Sequence, residues 1–183
     1  MQSGLKKKIC LDDRRRKIVL KHIRKFSAPT CFEWGCGMNT KYFLQQSDSI
    51  TQWIAVEDNK EWYDYLNKEI TDSRFQLILR PPSSDKTKDE WYQMENESPL
   101  RVGKYFREYI DIVSEIPTPD FILIDGRSRL QCLEKAHSCI SDGGVVVMDD
   151  AHRISRNKKD WRPLMRKWKV DRITKKMFVF KKK

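Results

Sequence analysis

Cys31-Phe32-Glu33-Trp34-Gly35-Cys36-Gly37-Met38-Asn39-Thr40 is the stretch on which the reading of this 183-residue chain turns. A short apolar run ends in an acid, two glycines follow two positions apart, and a helical pattern begins. Glycine at 35 and 37 removes Cβ atoms from the turn, so a ligand can approach the backbone closely. The helix that follows would aim its free N–H groups and the positive end of its dipole at that ligand. Glu33, at the strand end, is placed to accept hydrogen bonds from a cationic or hydroxylated group. The stretch has the form of the first βα turn of a nucleotide-type site.

Two phosphate-binding versions of such a turn are excluded by the residues. The dinucleotide fingerprint needs a third glycine at position 40, where Thr stands. The Walker A loop needs Gly-Lys-Ser/Thr, which is absent, and an acid before the glycines would repel a diphosphate. The pattern Glu33-x-Gly35-x-Gly37-x-x-Thr40 resembles instead the first motif of class I S-adenosylmethionine-dependent methyltransferases, whose cofactor carries a sulfonium and an amino-acid end. The resemblance implies that Glu33, Gly35, Gly37 and Thr40 bind the cofactor.

Outward from that turn, strands alternate with helices. A helix is expected at 12–26, with Asp12 as N-cap and Ile18, Val19, Ile23 and Phe26 at helical spacing. Strands are expected at 31–34, 50–56, 74–79, 120–124 and 145–148, with helices at 39–46, 58–69, 102–115, 128–140 and 156–168, the last open to interruption or kinking at Pro163. A hairpin at 169–174 and 177–181 turns at Lys175-Lys176. Residues 80–100 are polar, proline-punctuated and without a sustained period, and read as a long loop with Trp91 and Tyr92 as a lid or sugar-stacking element. This order predicts an α/β fold with one Rossmann-like, doubly wound, mainly parallel sheet. The resemblance adds the antiparallel C-terminal hairpin. A single domain over 1–183 is expected, with a basic N-terminal helix (1–28), a cofactor-binding core (29–155) and a basic C-terminal helix and hairpin (156–183).

Three further acids follow strands. Glu57, after strand two, can take a bidentate hydrogen bond from two ribose hydroxyls, with Asp58 beside it as a cofactor neighbour or helix N-cap. Asp125 ends strand four in Asp125-Gly126-Arg127, and Asp149-Asp150 ends strand five. Three carboxylates at one mouth would need protons, arginines or a metal, and an all-oxygen set suits a hard cation such as Mg²⁺. This arrangement resembles the metal-dependent catechol-type and sugar-type O-methyltransferases. That resemblance implies Asp125, Asp149 and Asp150 as metal ligands and Asp125 in the cofactor pocket. It departs from the sugar enzymes at Arg127, where an acid commonly serves as base. His152 is the nearest titratable substitute, and Arg127, Arg129 and Arg153 could clamp an anionic acceptor.

Composition limits the partners. The net charge of +11 is uneven: residues 1–25 carry +8, residues 156–183 carry +11 and the middle carries −8. Basic ends around an acidic centre attract nucleic acid, acidic glycans or membrane surfaces. Five cysteines without CxxC spacing read as thiols in a reducing, cytoplasmic setting. No apolar run approaches the ~18 residues of a membrane span, and the first residues lack the apolar stretch of a signal peptide. The combined expectation is a Mg²⁺-assisted O-methyltransferase acting on a sugar, glycan or other polyhydroxyl acceptor. The alternatives are an RNA methyltransferase using the basic ends, or a non-catalytic binding protein that keeps the cofactor fold. The first alternative lacks the Asn/Asp-Pro-Pro-Tyr/Phe motif of amino-methylating enzymes after strand four.

Overall fold

A computed structural model describes residues 11–155 and 158–183. Cys10, the start of the expected N-terminal segment and the first two residues of the expected 156–168 helix lie outside the described residues. Seven strands form one sheet in the order β3-β2-β1-β4-β5-β7-β6. The strands are β1 Thr30–Trp34, β2 Gln52–Glu57, β3 Phe75–Leu79, β4 Phe121–Ile124, β5 Val145–Met148, β6 Trp168–Arg172 and β7 Phe178–Lys182. β1 to β5 run parallel, while β7 is antiparallel to both β5 and β6. The order reverses at β1, where one crossover leads to β2 and the other to β4, so a crevice opens between their carboxyl ends.

The central strands are apolar on both faces because helices cover both. Alternation sorts their side chains into two cores. Cys31, Trp53, Ala55, Phe121, Leu123, Val145, Val147 and Val179 point to one side. There they meet helices α1 (Asp13–Ile23), α2 (Met38–Gln46) and α3 (Lys60–Glu69) through Val19, Phe43 and Leu66. Phe32, Trp34, Ile54, Val56, Ile122, Ile124, Val146, Met148 and Phe180 point to the other. That side is covered by α4 (Lys88–Glu97), α5 (Pro99–Gly103), α6 (Arg107–Asp111), α7 (Arg129–Cys139) and α9 (Lys158–Lys167), with the short α8 (His152–Ser155) before α9. Each large apolar side chain so buried contributes roughly 1.5–3 kcal/mol.

Most elements match the expectation from sequence, and the differences have local causes. Asp12 caps α1, accepting from the Arg15 N–H. At α3 the cap is Asn59, whose side chain accepts from the Trp62 N–H, and not Asp58. The expected loop 80–100 contains α4, opened by a reciprocal capping box between Thr87 and Glu90. The helix expected at 102–115 is broken after Gly103, whose missing Cβ leaves room for the Gln131 side chain. Trp91 is buried, with its ring packed against Tyr105 and Phe106. Among the described residues no helix is long and apolar enough to cross a membrane, and Cys31, Cys36, Cys132 and Cys139 are free thiols.

Candidate functional site

The carboxyl ends of β1, β2, β4 and β5 surround a cavity of about 1010 Å³, and the residues on its wall include Glu33, Glu57, Asp58, Asp125, Asp149 and Asp150. Two glycines explain how the turns after β1 and β4 come so close. Gly35 has φ +86° and donates its N–H to the Val56 carbonyl at 2.9 Å. A Cβ there would collide with the Gly126 backbone, and a Cβ on Gly126 would collide with the Tyr109 hydroxyl while standing 2.9 Å from Gly35 Cα. Gly37 differs: its φ of −152° suits any residue, and a Cβ would meet only open space. Its hydrogen therefore leaves the cavity wall flat where α2 begins. No side chain caps α2, so its first N–H groups are left for a ligand.

Glu33 is buried beneath this turn. Its Oε2 accepts from the Thr40 hydroxyl at 2.5 Å and from Trp53 Nε1 at 2.9 Å. Burial pushes its pKa up to about 8, against the pull of those two hydrogen bonds. Thr40, expected as a cofactor ligand, is fully buried and uses its hydroxyl on Glu33, so it acts on the cavity through that carboxylate. Glu57 accepts from the Asn59 N–H at 3.0 Å. Burial, with Asp58 beside it, raises its pKa to about 8, and burial raises that of Asp58 as well. Two poorly ionised acids at adjacent strand ends are prepared for a ligand that brings a positive charge and hydroxyl donors.

The carboxylates at the other end of the cavity are held by arginines. Both oxygens of Asp149 receive Arg15 Nη1, at 2.9 and 2.7 Å, while Arg15 Nε reaches Asp12 at 3.1 Å. Arg129 Nη2 donates to the Asp125 carbonyl at 3.0 Å and lies 3.5 Å from its Oδ1. Burial lifts the Asp125 pKa to about 7, opposed by Arg129 and assisted by Asp149 and Asp150. Asp150 has a left-handed backbone, φ 50°, an uncommon conformation that Asp tolerates. His152, expected as the base, begins α8 with its Nδ1 3.9 Å from Asp150 Oδ1, and it does not belong to the cavity wall.

These pairings test the expected metal site. Asp125, Asp149 and Asp150 do come to one mouth, but Asp149 turns both oxygens to Arg15 and Asp125 faces Arg129. Among the described residues no group of three or more His, Cys, Asp or Glu side chains could hold a metal ion. The donor set therefore does not fit Mg²⁺. Its counter-charge comes from arginine, one of the remedies for crowded carboxylates. Arg129, expected in the clamp, is likewise buried and turned to Asp125. Arg127 and Arg153 both pack on Tyr92, with 4.3 and 4.6 Å from guanidinium carbon to ring centroid. Both also approach Glu95 Oε2, at 4.0 and 3.8 Å. Arg15 and Glu95 were not singled out by the sequence; their partners lie far away in the chain, and only the TxxE capping signal at 87–90 points to the helix that carries Glu95.

The sequence matches no protein-family model and no curated protein. Solved structures do match in fold. A methyltransferase-like protein from Silicibacter pomeroyi superposes with TM-score 0.63 at 13% identity, over 94% of this chain and 87% of its own. A provisionally assigned caffeoyl-CoA O-methyltransferase from Staphylococcus aureus gives TM-score 0.63 at 13% identity, over 94% and 85%. The MycE methyltransferase of the mycinamycin pathway, solved with Mg, S-adenosylhomocysteine and mycinamycin VI, gives 0.53 at 11%, over 88% of this chain and 44% of its own. The fold is that of the class I S-adenosylmethionine-dependent methyltransferases.

Proposed function

We propose that this protein is an S-adenosylmethionine-dependent methyltransferase that methylates a hydroxyl of a sugar or other polyhydroxyl acceptor, without a bound metal. The observation that carries the cofactor reading is the pair of buried acids, Glu33 and Glu57, at the ends of neighbouring strands beside a glycine-opened helix start. S-adenosylmethionine supplies an electrophilic methyl group on a sulfonium. The α2 N-terminus would receive its carboxylate, Glu33 would face its ammonium end, and Glu57 would accept from its ribose hydroxyls.

At the other end, Asp125 is the group suited to take the hydroxyl proton. Its pKa of about 7 lies near the working pH, where a general base is most effective. The acceptor oxygen would form a C–O bond as the S–C bond breaks, with the proton passing to Asp125 and a neutral thioether leaving. The chain's main contribution is to hold the two reactants in line. Arg15 keeps Asp149 neutralised, so its charge need not be met by a dication.

Transfer of tritiated methyl from S-adenosylmethionine to a panel of sugars, sugar phosphates and ribonucleosides tests this. We expect an alkali-stable ether product, formed equally in 5 mM EDTA and 5 mM MgCl₂, with Asp125→Asn reducing the rate roughly 100-fold or more. A rate abolished by EDTA and restored by Mg²⁺ would refute the metal-free reading, and methyl found on nitrogen would refute the hydroxyl acceptor.

A further inference from the structure

The two basic ends of the chain are brought together on one side of the molecule. Helix α1 buries Val19, Leu20 and Ile23 in the core that also takes Val179 of β7. Residues paired across an antiparallel ladder share a face, so Lys181, two residues along from Val179, and its partner Lys169 lie on the α1 side of the sheet. On α1 itself, Arg14, Lys17 and Lys21 are exposed at i, i+3 and i+7, and exposed Lys25 extends the same stripe just past the helix end. At about 1.5 Å per residue the stripe is roughly 16 Å long. None of these six cations makes an ion pair among the described residues, and Asp171 is the acid between them on β6. His22, buried under the stripe, has its pKa lowered to about 4, first by burial and then by Lys25, Lys181 and Lys21.

The stripe runs to the cavity. Its first turn includes Arg15, which grips Asp149 on the cavity wall. The turn between β6 and β7 carries exposed Lys175 and Lys176. It is tied to the end of β5 by the Ala151 N–H donating to the Lys176 carbonyl at 2.8 Å, and Lys176 also lines the cavity. The apolar side of α1 is already used in the core, so the helix has nothing to insert into a lipid bilayer.

We propose that this stripe is a binding track for the phosphate backbone of a single-stranded nucleic acid. Evenly spaced single cations suit a chain of single negative charges, and the track ends at a cavity that an unpaired nucleotide can enter, whereas a duplex holds its nucleotides in the stack. The track stands on the arrangement of charge and does not depend on the methyl-transfer reading.

Fluorescence anisotropy of a labelled 20-nucleotide RNA between 50 and 300 mM KCl tests it on the full chain and on Lys17→Glu/Lys21→Glu/Lys25→Glu. Each phosphate contact contributes about −0.7 to the slope of log K against log salt for a single strand. The wild type should bind with a steep slope. The variant should lose at least ~10-fold in affinity at 50 mM KCl, with its slope shallower by about 2. Its melting temperature and S-adenosylhomocysteine affinity should be unchanged, which separates this result from any failure of the cofactor site. Equal binding by variant and wild type would overturn the proposal. So would a sulfated oligosaccharide of matched charge that binds the wild type more tightly than the RNA.

Discussion

Gly35 and Gly37 stand two positions apart in one turn and have different physical reasons to be glycine. At 35 the backbone is left-handed and a Cβ would strike the Gly126 backbone, so Gly35→Ala combines φ strain with a clash that no side chain can relieve. A loss of about 3 kcal/mol or more is expected, measured by urea unfolding. At 37 the space is open, so Gly37→Val should cost less than about 1 kcal/mol in the same experiment and weaken S-adenosylhomocysteine binding at least ~10-fold by filling the cradle. Glu33, Glu57 and Asp125 give a pH signature. Their folded-state pKa values, about 8, 8 and 7, exceed ordinary carboxyl values near 4, so the folded chain holds more protons than the unfolded chain across that interval. Stability therefore falls as pH rises through it. His22 works the other way, but only between its folded pKa of about 4 and its ordinary 6.5. Between pH 6.5 and 8 the acids act alone, and the melting temperature should fall by several degrees. A flat or rising profile there would show that the three acids are ionised in the free protein. The glycines and Glu33 were legible in the sequence because they lie in one turn. The separate jobs of Gly35 and Gly37 were not, since the collision partner Gly126 lies 91 positions away.

Among the elements, α1 and α4 carry what the sequence reading missed. Strand positions followed from period-two alternation, and the capped helix α1 from its apolar spacing. Helix α4 escaped because its polar sequence has no strong apolar stripe; the Thr87–Glu90 box was the available signal, and prolines at 81 and 82 obscured it. Helix α1 is expected from sequence as a basic amphipathic helix outside the cofactor-binding core, yet its Arg15 closes one wall of the cavity through a partner 134 residues away. No local pattern encodes such a pairing, and for the same reason the three strand-end acids read as a metal set. Arg15→Met should leave Asp149 buried without its counter-charge and destabilise the fold by about 3 kcal/mol, at the low end for a buried pair because Arg15 keeps some exposure. Adding Asp149→Leu should recover at least half of that loss in chemical denaturation. If the double variant is no more stable than the single one, the guanidinium is not what makes Asp149 tolerable there.

At the scale of the whole molecule, chain order and spatial order divide the work. The switch between the β1–β2 and β3–β4 crossovers opens the cavity, the acidic middle of the chain lines it, and the basic ends meet beside it on α1 and the β6–β7 hairpin. The mainly parallel sheet follows from the alternation of elements and the antiparallel hairpin from the resemblance; the order of the strands and the counter-charging of the acids by Arg15 and Arg129 needed the three-dimensional arrangement. The central claim is that the glycine-opened turn and the two raised acids form an S-adenosylmethionine site. Calorimetric titration of S-adenosylhomocysteine into the wild type, Gly37→Val and Glu57→Ala at pH 7.5, repeated in two buffers of different ionisation enthalpy, addresses it most directly. One-to-one binding is predicted, with proton release as Glu33 and Glu57 ionise against the ligand and affinity at least ~10-fold weaker in each variant. No heat of binding in the wild type, or binding that neither substitution weakens, would contradict the assignment of the site.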